Sequence, residues 1–552
     1  MSVLGPSFIQ PVVGKENKPR IGSKKDVRYV GAIDIGTNST HLLIAAVDPV
    51  LRTFSVELAE KSTTRLGERD QESGKLTEVA IKRALEALRN FKALAFSYKV
   101  EELIMAATSA VRESSNGSDF LSQVKEELDL DIDLISGPEE ARLIYLGVLS
   151  GMPFGEKPHL VLDIGGGSTE LVLADGKDAK ALTSTRIGAV RLQRDFIRKD
   201  TLSSARSEFI KAFIQGSLEP AVDKISRRIN SGEKPIMIAT SGSALAIGAL
   251  VANGIGDSVL KFQGYKISKE SLDKLIEKLL KMSSEQIRKL PSISSRRAEI
   301  IVPGALILQT AMQMMGVKEV VLSERALREG LVVDWMFRKK LLEDRFSLQG
   351  SIRRRTVMHQ ARRFAVDNAR SVRVARHALS LYDNSKGYLH NDKGEGRDLL
   401  WAAAMLHSCG QHINLSSYHK HSWYLIRHGE LLGYSQVEHL IVAAIARYHR
   451  RSLPKKRHEA WQVLGNKKNR KIASEMSLLL RLASAIDRRP EPVVASIDIT
   501  IDKQKLVFRL IPEKLNQNIS LEKWSLNNCI AIIKELTGFE SEIIENKHLN
   551  TI

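Results

Sequence analysis

The chain has 552 residues, 43% of them hydrophobic and 27% charged, with a formal net charge of +19 from 83 basic and 64 acidic side chains. That length exceeds one ordinary core, so several domains are expected, and no apolar run approaches the ~18 residues of a membrane span, which argues against membrane insertion. Two cysteines, Cys409 and Cys529, leave no disulfide framework and suit the cytoplasm; the basic excess attracts polyanions, and 5% aromatic content disfavours a partner that needs base stacking.

Residues 1–28 hold Pro, Gly and Lys without an apolar signal core and read as a flexible basic tail. Tyr29 to Ile33 is a short strand ending at Asp34; the turn Gly36-Thr37-Asn38-Ser39 follows, and Leu42 to Val47 returns as its hairpin partner. Apolar residues at helical spacing run from Thr77, a capping residue, to Phe96. Glu102 to Ala107 reads as a buried strand leading into Thr108-Ser109-Ala110-Val111-Arg112, Asp119 to Leu128 as a helix, and Asp131 to Ile135 as a strand. Ser136-Gly137-Pro138-Glu139-Glu140-Ala141-Arg142 then opens a helix, with Pro138 in its first turn. Acids there serve the helix dipole. At the edge of a phosphate cleft, one of them also suits a base.

The stretch Leu160 to Leu173 organises the chain. It places Asp163, Gly165-Gly166-Gly167-Ser168 and Glu170 between two apolar strand-like runs. Its Asp-Ile-Gly unit repeats the one at Asp34, so two related lobes are expected, each offering a glycine turn to a shared cleft. Backbone N–H groups of Gly36, Thr37, Asn38 and Ser39, and of Gly165, Gly166, Gly167 and Ser168, suit phosphate oxygens. Asp34, Asp163 and Glu170 are hard oxygen donors of the kind Mg²⁺ takes. Arg112 and Arg65 either add charge-assisted contacts to phosphate or form surface ion pairs.

Further on, Leu182 to Ile187 is a strand, a helix spans about 204–230, and Ile236 to Ala239 is a strand ending in Thr240-Ser241-Gly242-Ser243. Ser241 and Gly242 form either a third phosphate loop or a hydroxyl-capped helix start. Helices over Lys269–Met282 and Arg297–Met315, a strand over Val320–Ser323 and a last helix opened by Glu324 to Gly330 complete the second lobe. From about Leu341 strand signals vanish, Arg353-Arg354-Arg355 marks a basic junction, and the chain reads as all helix to about Asp487. Beyond Pro490, a hairpin (Val494–Ile501, Lys505–Ile511) and a helix (Leu521–Leu536) make a small α/β module. The expected division is 1–28, 29–145, 146–340, 341–490 and 491–552.

Val30-Gly-Ala-Ile-Asp-Ile-Gly-Thr-Asn-Ser, Ala107-Thr-Ser-Ala-Val-Arg, Ile135-Ser-Gly-Pro-Glu-Glu-Ala-Arg-Leu, Val161-Leu-Asp-Ile-Gly-Gly-Gly-Ser-Thr-Glu, Ala239-Thr-Ser-Gly-Ser and Leu327-Arg-Glu-Gly resemble, in order and spacing, the exopolyphosphatase/guanosine pentaphosphate phosphatase (Ppx/GppA) family in its long bacterial form. The resemblance implies an α/β two-lobed actin/sugar-kinase/heat-shock ATPase-like core, an all-α HD-like domain and a C-terminal α/β module. It implies Mg²⁺-assisted release of terminal phosphate from inorganic polyphosphate, or from the 5′ end of guanosine pentaphosphate. It assigns Glu140 as the base, Asp163 to metal or water and Gly165–Ser168 to the phosphate cradle. A homodimer is a further expectation from the resemblance.

The pattern departs in the helical region. HD-type phosphohydrolases build a metal site on a His-Asp pair, but the matching position reads His407-Ser408, and only Asp487 matches the last ligand. A non-catalytic basic domain is expected, with Arg447, His449, Arg450, Arg451, Lys455, Lys456 and Arg457 available to a polyanion. The leading reading is an exopolyphosphatase, which suits a basic protein with no specific nucleic-acid partner. The alternatives are a guanosine pentaphosphate phosphatase, a kinase or ATPase of the same core, and a non-enzymatic polyanion-binding regulator.

Overall fold

Hydrophobic hairpins at Asp34 and Asp163 each seed a sheet. The computed structural model describes residues 27–545 apart from 71, 198–203, 231, 255, 257–258, 260, 343–351, 503–504 and 515; the expected tail over residues 1–28 therefore lies almost wholly outside the described residues. The first sheet holds β1 (Arg28–Ile35), β2 (Thr40–Asp48), β3 (Thr53–Ser62), β4 (Glu102–Ala107) and β5 (Asp133–Leu134) in the order β3-β2-β1-β4-β5. The second holds β6 (His159–Ile164), β7 (Thr169–Ala174), β8 (Ala179–Thr185), β9 (Ile236–Thr240), β10 (Lys266–Ser268) and β11 (Glu319–Leu322) in the order β10-β11-β9-β6-β7-β8. In both sheets the first three strands form an antiparallel meander, and the first strand then pairs in parallel with a later one, β4 or β9. The doubled topology is that of the actin-like core, and it explains the repeated Asp-Ile-Gly.

β3 escapes the sequence reading because its outer half is exposed, so its apolar alternation fades after Val56. The expected strand over Asp131–Ile135 shrinks to the two exposed residues of β5. Other elements fall close to expectation. Thr77 caps the Glu78–Ser97 helix by accepting from Ala80 N, and Ser136 caps the Gly137–Gly151 helix by accepting from Glu139 N, with Pro138 in its first turn.

The two lobes are not cut where the linear division places the boundary. Residue 145 lies inside the Gly137–Gly151 helix, which leaves the first lobe and packs on β7 and β8 of the second. In exchange, the Leu327–Arg338 helix packs on β1 and β2, so Val332 and Trp335 share a core with Val30 and Leu43. The helices cross with their backbones in contact. A Cβ on Gly147 would stand 1.8 Å from Ala326 O, and one on Gly330 would stand 1.9 Å from Leu143 O. Glycine is required at both positions because any side chain would separate the pair.

Helices from Ile352–Arg363 to Lys467–Ile486 form the expected all-α domain. They share one core with the C-terminal module of β12 (Val494–Asp502), β13 (Lys505–Pro512), β14 (Glu540–Glu545) and the Ser520–Thr537 helix. β14 pairs in parallel with β13 and completes a three-stranded sheet.

Candidate active site

The first two strands of each sheet end in the same turn. Gly36 N donates to Ser39 O at 3.1 Å, and Gly165 N donates to Ser168 O at 3.0 Å. Register then aligns side chains across each hairpin: Asp34 opposes His41, and Asp163 opposes Glu170. Opposed residues share a face of the sheet. The two turns meet between the lobes, where Thr37 Oγ1 lies 3.0 Å from Ser109 Oγ and a Cβ on Gly166 would stand 2.9 Å from Thr37 Cβ. A cleft of about 350 Å³ opens above them.

The structure brings most of the sequence-predicted residues to this cleft. Asp34, Gly36, Thr37, Asn38, Ser39, Glu140, Asp163, Gly165, Gly166, Ser168, Ser241 and Gly242 all line it. Gly167 faces away, toward Ser109 and Arg191, and spaces the two loops: its Cβ would stand 2.5 Å from Ser109 Oγ. Glu170 sits beneath the floor, 1% exposed, accepting from Ser184 Oγ at 2.8 Å. Ser241 adopts a left-handed φ of +94°, unusual for a residue with a side chain. Its hydroxyl turns back to accept from Ser243 N (3.1 Å) and Ala244 N (3.4 Å), so it caps the Ser241–Gly254 helix while that helix's start borders the cleft.

Three expectations need correction. Arg112 does not line the cleft as a phosphate ligand. Its Nη1 donates to Glu140 Oε2 at 3.1 Å and to the Ile135 carbonyl at 2.8 Å, because the short Ser109–Arg112 helix leaves β4 toward the start of the Gly137–Gly151 helix. Arg65 is occupied elsewhere, 2.8 Å from Glu68 and 3.7 Å from Glu299. Finally, Asp34, Asp163 and Glu170 do not close into a ready three-ligand cage, and among the described residues no group of three or more His, Cys, Asp or Glu does. Glu170 lies too deep, with one oxygen already held by Ser184. Glu139 follows its plainer reading, as its carboxylate is bound by Arg142 at 2.7 and 2.8 Å.

Four acids converge on a poorly hydrated floor, and their titration reflects it. Burial pushes Asp34 up to about 6, although Arg328 opposes the shift. Burial, with the charges of Glu140 and Asp34, raises Asp163 to about 7. Burial and Asp163 raise Glu170 to about 8. Glu140, 7% exposed, is raised well above the carboxylate range by burial and by Glu170; Arg112 acts against this. Asp163 Oδ1 and Glu170 Oε2 are buried without a hydrogen-bond partner.

Sequence reasoning missed four basic residue types that also line the cleft: His41, Lys61, Arg297 and Arg328. Burial holds Arg297 below its ordinary value, and its guanidinium lies over Gly242, where a Cβ would stand 1.6 Å from Nη2. Burial, then Arg297, Arg296 and Arg328, bring Lys61 down to about 8; burial, then Arg328 and Lys61, bring His41 down to about 3. His41 had one available signal, since it occupies in the first hairpin the place that Glu170 holds in the second. Arg328 stands in the Leu327-Arg-Glu-Gly motif, whereas nothing local marks Lys61 or Arg297.

In the HD-like region, Asp487 is gripped by Arg373 through Nε and Nη2 at 3.2–3.3 Å. The rings of His407 and His449 lie edge to face at 5.2 Å, each fixed by a backbone carbonyl at 2.7 Å, and burial lowers both pKa values. An arginine thus neutralises the one carboxylate that matched a metal-ligand position.

The model for the Ppx/GppA phosphatase family matches residues 43–339, and that for Ppx/GppA phosphatase domain III matches residues 352–529. A guanosine-5′-triphosphate,3′-diphosphate pyrophosphatase from Vibrio vulnificus is 28% identical over 495 residues, covering 88% of this chain and 93% of the relative. Among solved structures, an exopolyphosphatase from Cytophaga hutchinsonii is similar at 25% identity, with a TM-score of 0.52, covering 57% of this chain and 98% of that one. An exopolyphosphatase-like protein is similar at 26% identity, with a TM-score of 0.51, covering 57% of this chain and 99% of that one.

Proposed function

The chain belongs to the Ppx/GppA phosphatase family, and from that premise we propose that it releases the terminal phosphate of inorganic polyphosphate, with Glu140 as base for the attacking water. The observation that carries the choice of substrate is the cleft lining. Lys61, Arg297 and Arg328 line the cleft together with the glycine turns, and among the described residues no Phe, Tyr or Trp lines it to stack on a base. A chain of phosphates needs cations and N–H donors and has no aromatic face to satisfy.

Phosphoryl transfer asks the protein mainly for positioning and charge stabilisation. The turns at Gly36–Ser39 and Gly165–Ser168 present N–H groups to the terminal phosphate, and those cations take the phosphates behind it. The Glu140 pKa is raised well above the ordinary carboxylate range, and a carboxylate so raised accepts a proton more readily. Arg112, hydrogen-bonded to Glu140, fixes that carboxylate and favours its ionised form against burial. The same proposal includes Mg²⁺. The partnerless Asp163 Oδ1 fits a hard cation, with Asp34 of the same cleft as a second carboxylate, and Mg²⁺ ordinarily takes only one or two carboxylates beside substrate phosphates. When bound, it supplies neutralisation of charge on phosphate oxygens. A cytoplasmic homodimer completes the proposal, and light scattering of the purified chain tests the dimer.

A second reading is favoured by one finding. The Vibrio vulnificus relative, which aligns over nearly the whole chain, is named for guanosine pentaphosphate. Phosphate release from long-chain polyphosphate and from guanosine pentaphosphate, measured side by side on one preparation, decides between them. A kcat/KM at least tenfold higher for polyphosphate is expected; the reverse ratio assigns the enzyme to the nucleotide.

A further inference from the structure

The short Ser109–Arg112 helix and the residue after it meet both glycine turns and the base. Ser109 Oγ lies 3.0 Å from Thr37 Oγ1 of the first turn, and Arg112 holds Glu140. Glu113, the next residue, reaches into the second lobe: its Oε2 accepts from Arg191 Nη2, and its side chain is 8% exposed. Arg69 fixes this segment by donating to the carbonyls of Ala110 at 2.9 Å, Glu113 at 3.2 Å and Ser109 at 3.3 Å, groups that a helix end leaves open. Arg191 spans from Glu113 to the second glycine turn, where its Nε donates to Gly167 O at 3.1 Å. The two preceding carbonyls are held by backbone: Gly165 O accepts from Ala189 N at 3.0 Å, and Gly166 O from Val190 N at 3.0 Å and Arg191 N at 3.1 Å. All three glycine carbonyls thus face the start of the Ala189–Phe196 helix.

In a planar trans peptide the N–H and C=O point in opposite directions. Holding these carbonyls on one side turns the Gly166, Gly167 and Ser168 N–H groups to the other, and Gly166 and Ser168 line the cleft. Consecutive glycines have little preference of their own, so the groups that grip their carbonyls decide the orientation. For the Ser168 N–H that grip is a single side chain. We propose that Arg191 is a positioning residue for phosphoryl transfer: it holds Gly167 O so that the Ser168 N–H meets the terminal phosphate, and Glu113 keeps it in register with the base through the adjacent Arg112. The proposal rests on the glycine turns taking the terminal phosphate and is the same for either substrate. A donor aimed in advance needs no reorganisation when charge builds on the phosphate oxygens, so its effect falls on kcat.

The test pairs steady-state phosphate release, on whichever of polyphosphate and guanosine pentaphosphate the enzyme turns over faster, with thermal unfolding of the full-length chain. Arg191→Met should lower kcat about 10–100-fold, the worth of a hydrogen bond to a charged group. KM should change little, because Lys61, Arg297 and Arg328 still line the cleft. The acidic limb of the pH profile should stay at its parent position, because Arg191 bonds to the cradle and not to Glu140. Arg191→Met also strands the Glu113 carboxylate and should lower Tm. Adding Glu113→Gln removes that charge and should raise Tm without recovering kcat. Arg191→Lys keeps a charge beside Glu113 but lacks the planar fork that spans Glu113 and Gly167 O together, so it should lose kcat as well. Parent-like kcat in Arg191→Met, or kcat that returns with Tm in the double variant, overturns the proposal. If Glu140 is not the base, Glu140→Gln keeps its kcat while Arg191→Met still loses it, so the two failures are told apart.

Discussion

A single nitrogen of Arg112, Nη1, donates both to the Ile135 carbonyl at 2.8 Å and to Glu140 Oε2 at 3.1 Å. It ties the base to the chain just before the helix that carries it. Glu140 is then held in place from two sides: by its helix, capped at Ser136, and by an arginine that leaves the end of β4. The prediction for the base follows directly. Glu140→Gln keeps the size and most of the packing but cannot accept a proton. Phosphate release should fall by about 10²–10⁴ in kcat with KM changed little. Unaltered kcat in that variant would remove Glu140 from the reaction.

Arg112 acts through Glu140, so its removal should show in the pH profile. The arginine lowers the Glu140 pKa against burial and Glu170. Arg112→Met removes that opposition, the pKa rises, and less of the base is ionised at a given pH. The acidic limb of kcat/KM should move to higher pH, with activity partly recovered in alkaline buffer. A uniform loss at every pH would indicate a purely structural role.

The acidic floor makes stability depend on pH in a defined direction. Asp34, Asp163 and Glu170 are raised to about 6, 7 and 8 in the folded chain, against roughly 4 when unfolded. The metal-free protein therefore keeps this stabilisation below about pH 4 and loses it as pH rises through 6 to 8. Mg²⁺ favours the ionised carboxylates, so its gain in Tm over EDTA should be larger at about pH 8.5 than at about pH 5.5. An equal gain at both values would place the ion away from these acids.

The crossing of the two exchanged helices predicts a stability defect that comes from backbone contact rather than from charge. Gly330→Ala puts a methyl 1.9 Å from Leu143 O, a backbone atom that cannot rotate away. Overpacking of this kind costs about 1–3 kcal/mol, here with the lobes displaced as well. Denaturant unfolding should show the loss, and Gly147→Ala should reproduce it from the other helix.

Arg373 and Asp487 form a largely buried ion pair, with the Asp487 side chain 4% exposed. Arg373→Met leaves a buried carboxylate uncompensated and should cost about 3–5 kcal/mol. Adding Asp487→Asn should restore part of that loss, because the stranded charge is gone. If the double variant is no more stable than the single, the pair does not act as a unit.

What the sequence by itself determined is local. Hairpin, turn and capped helix are set by neighbours a few residues apart, so Asp34, Asp163, both glycine turns, Thr77 and Ser136 were all legible. The repeated Asp-Ile-Gly even announced the doubled sheet. What only the tertiary structure decided depends on groups far apart in the chain. Arg112 and Arg65 look alike in sequence, yet one meets Glu140 and the other Glu68 and Glu299. Lys61 comes from β3 and Arg297 and Arg328 from two segments of the second lobe, and they line one cleft only because the lobes fold together. Charge burial carries no local pattern in a sequence. It arises where distant segments remove water together, and here that happens within one cleft.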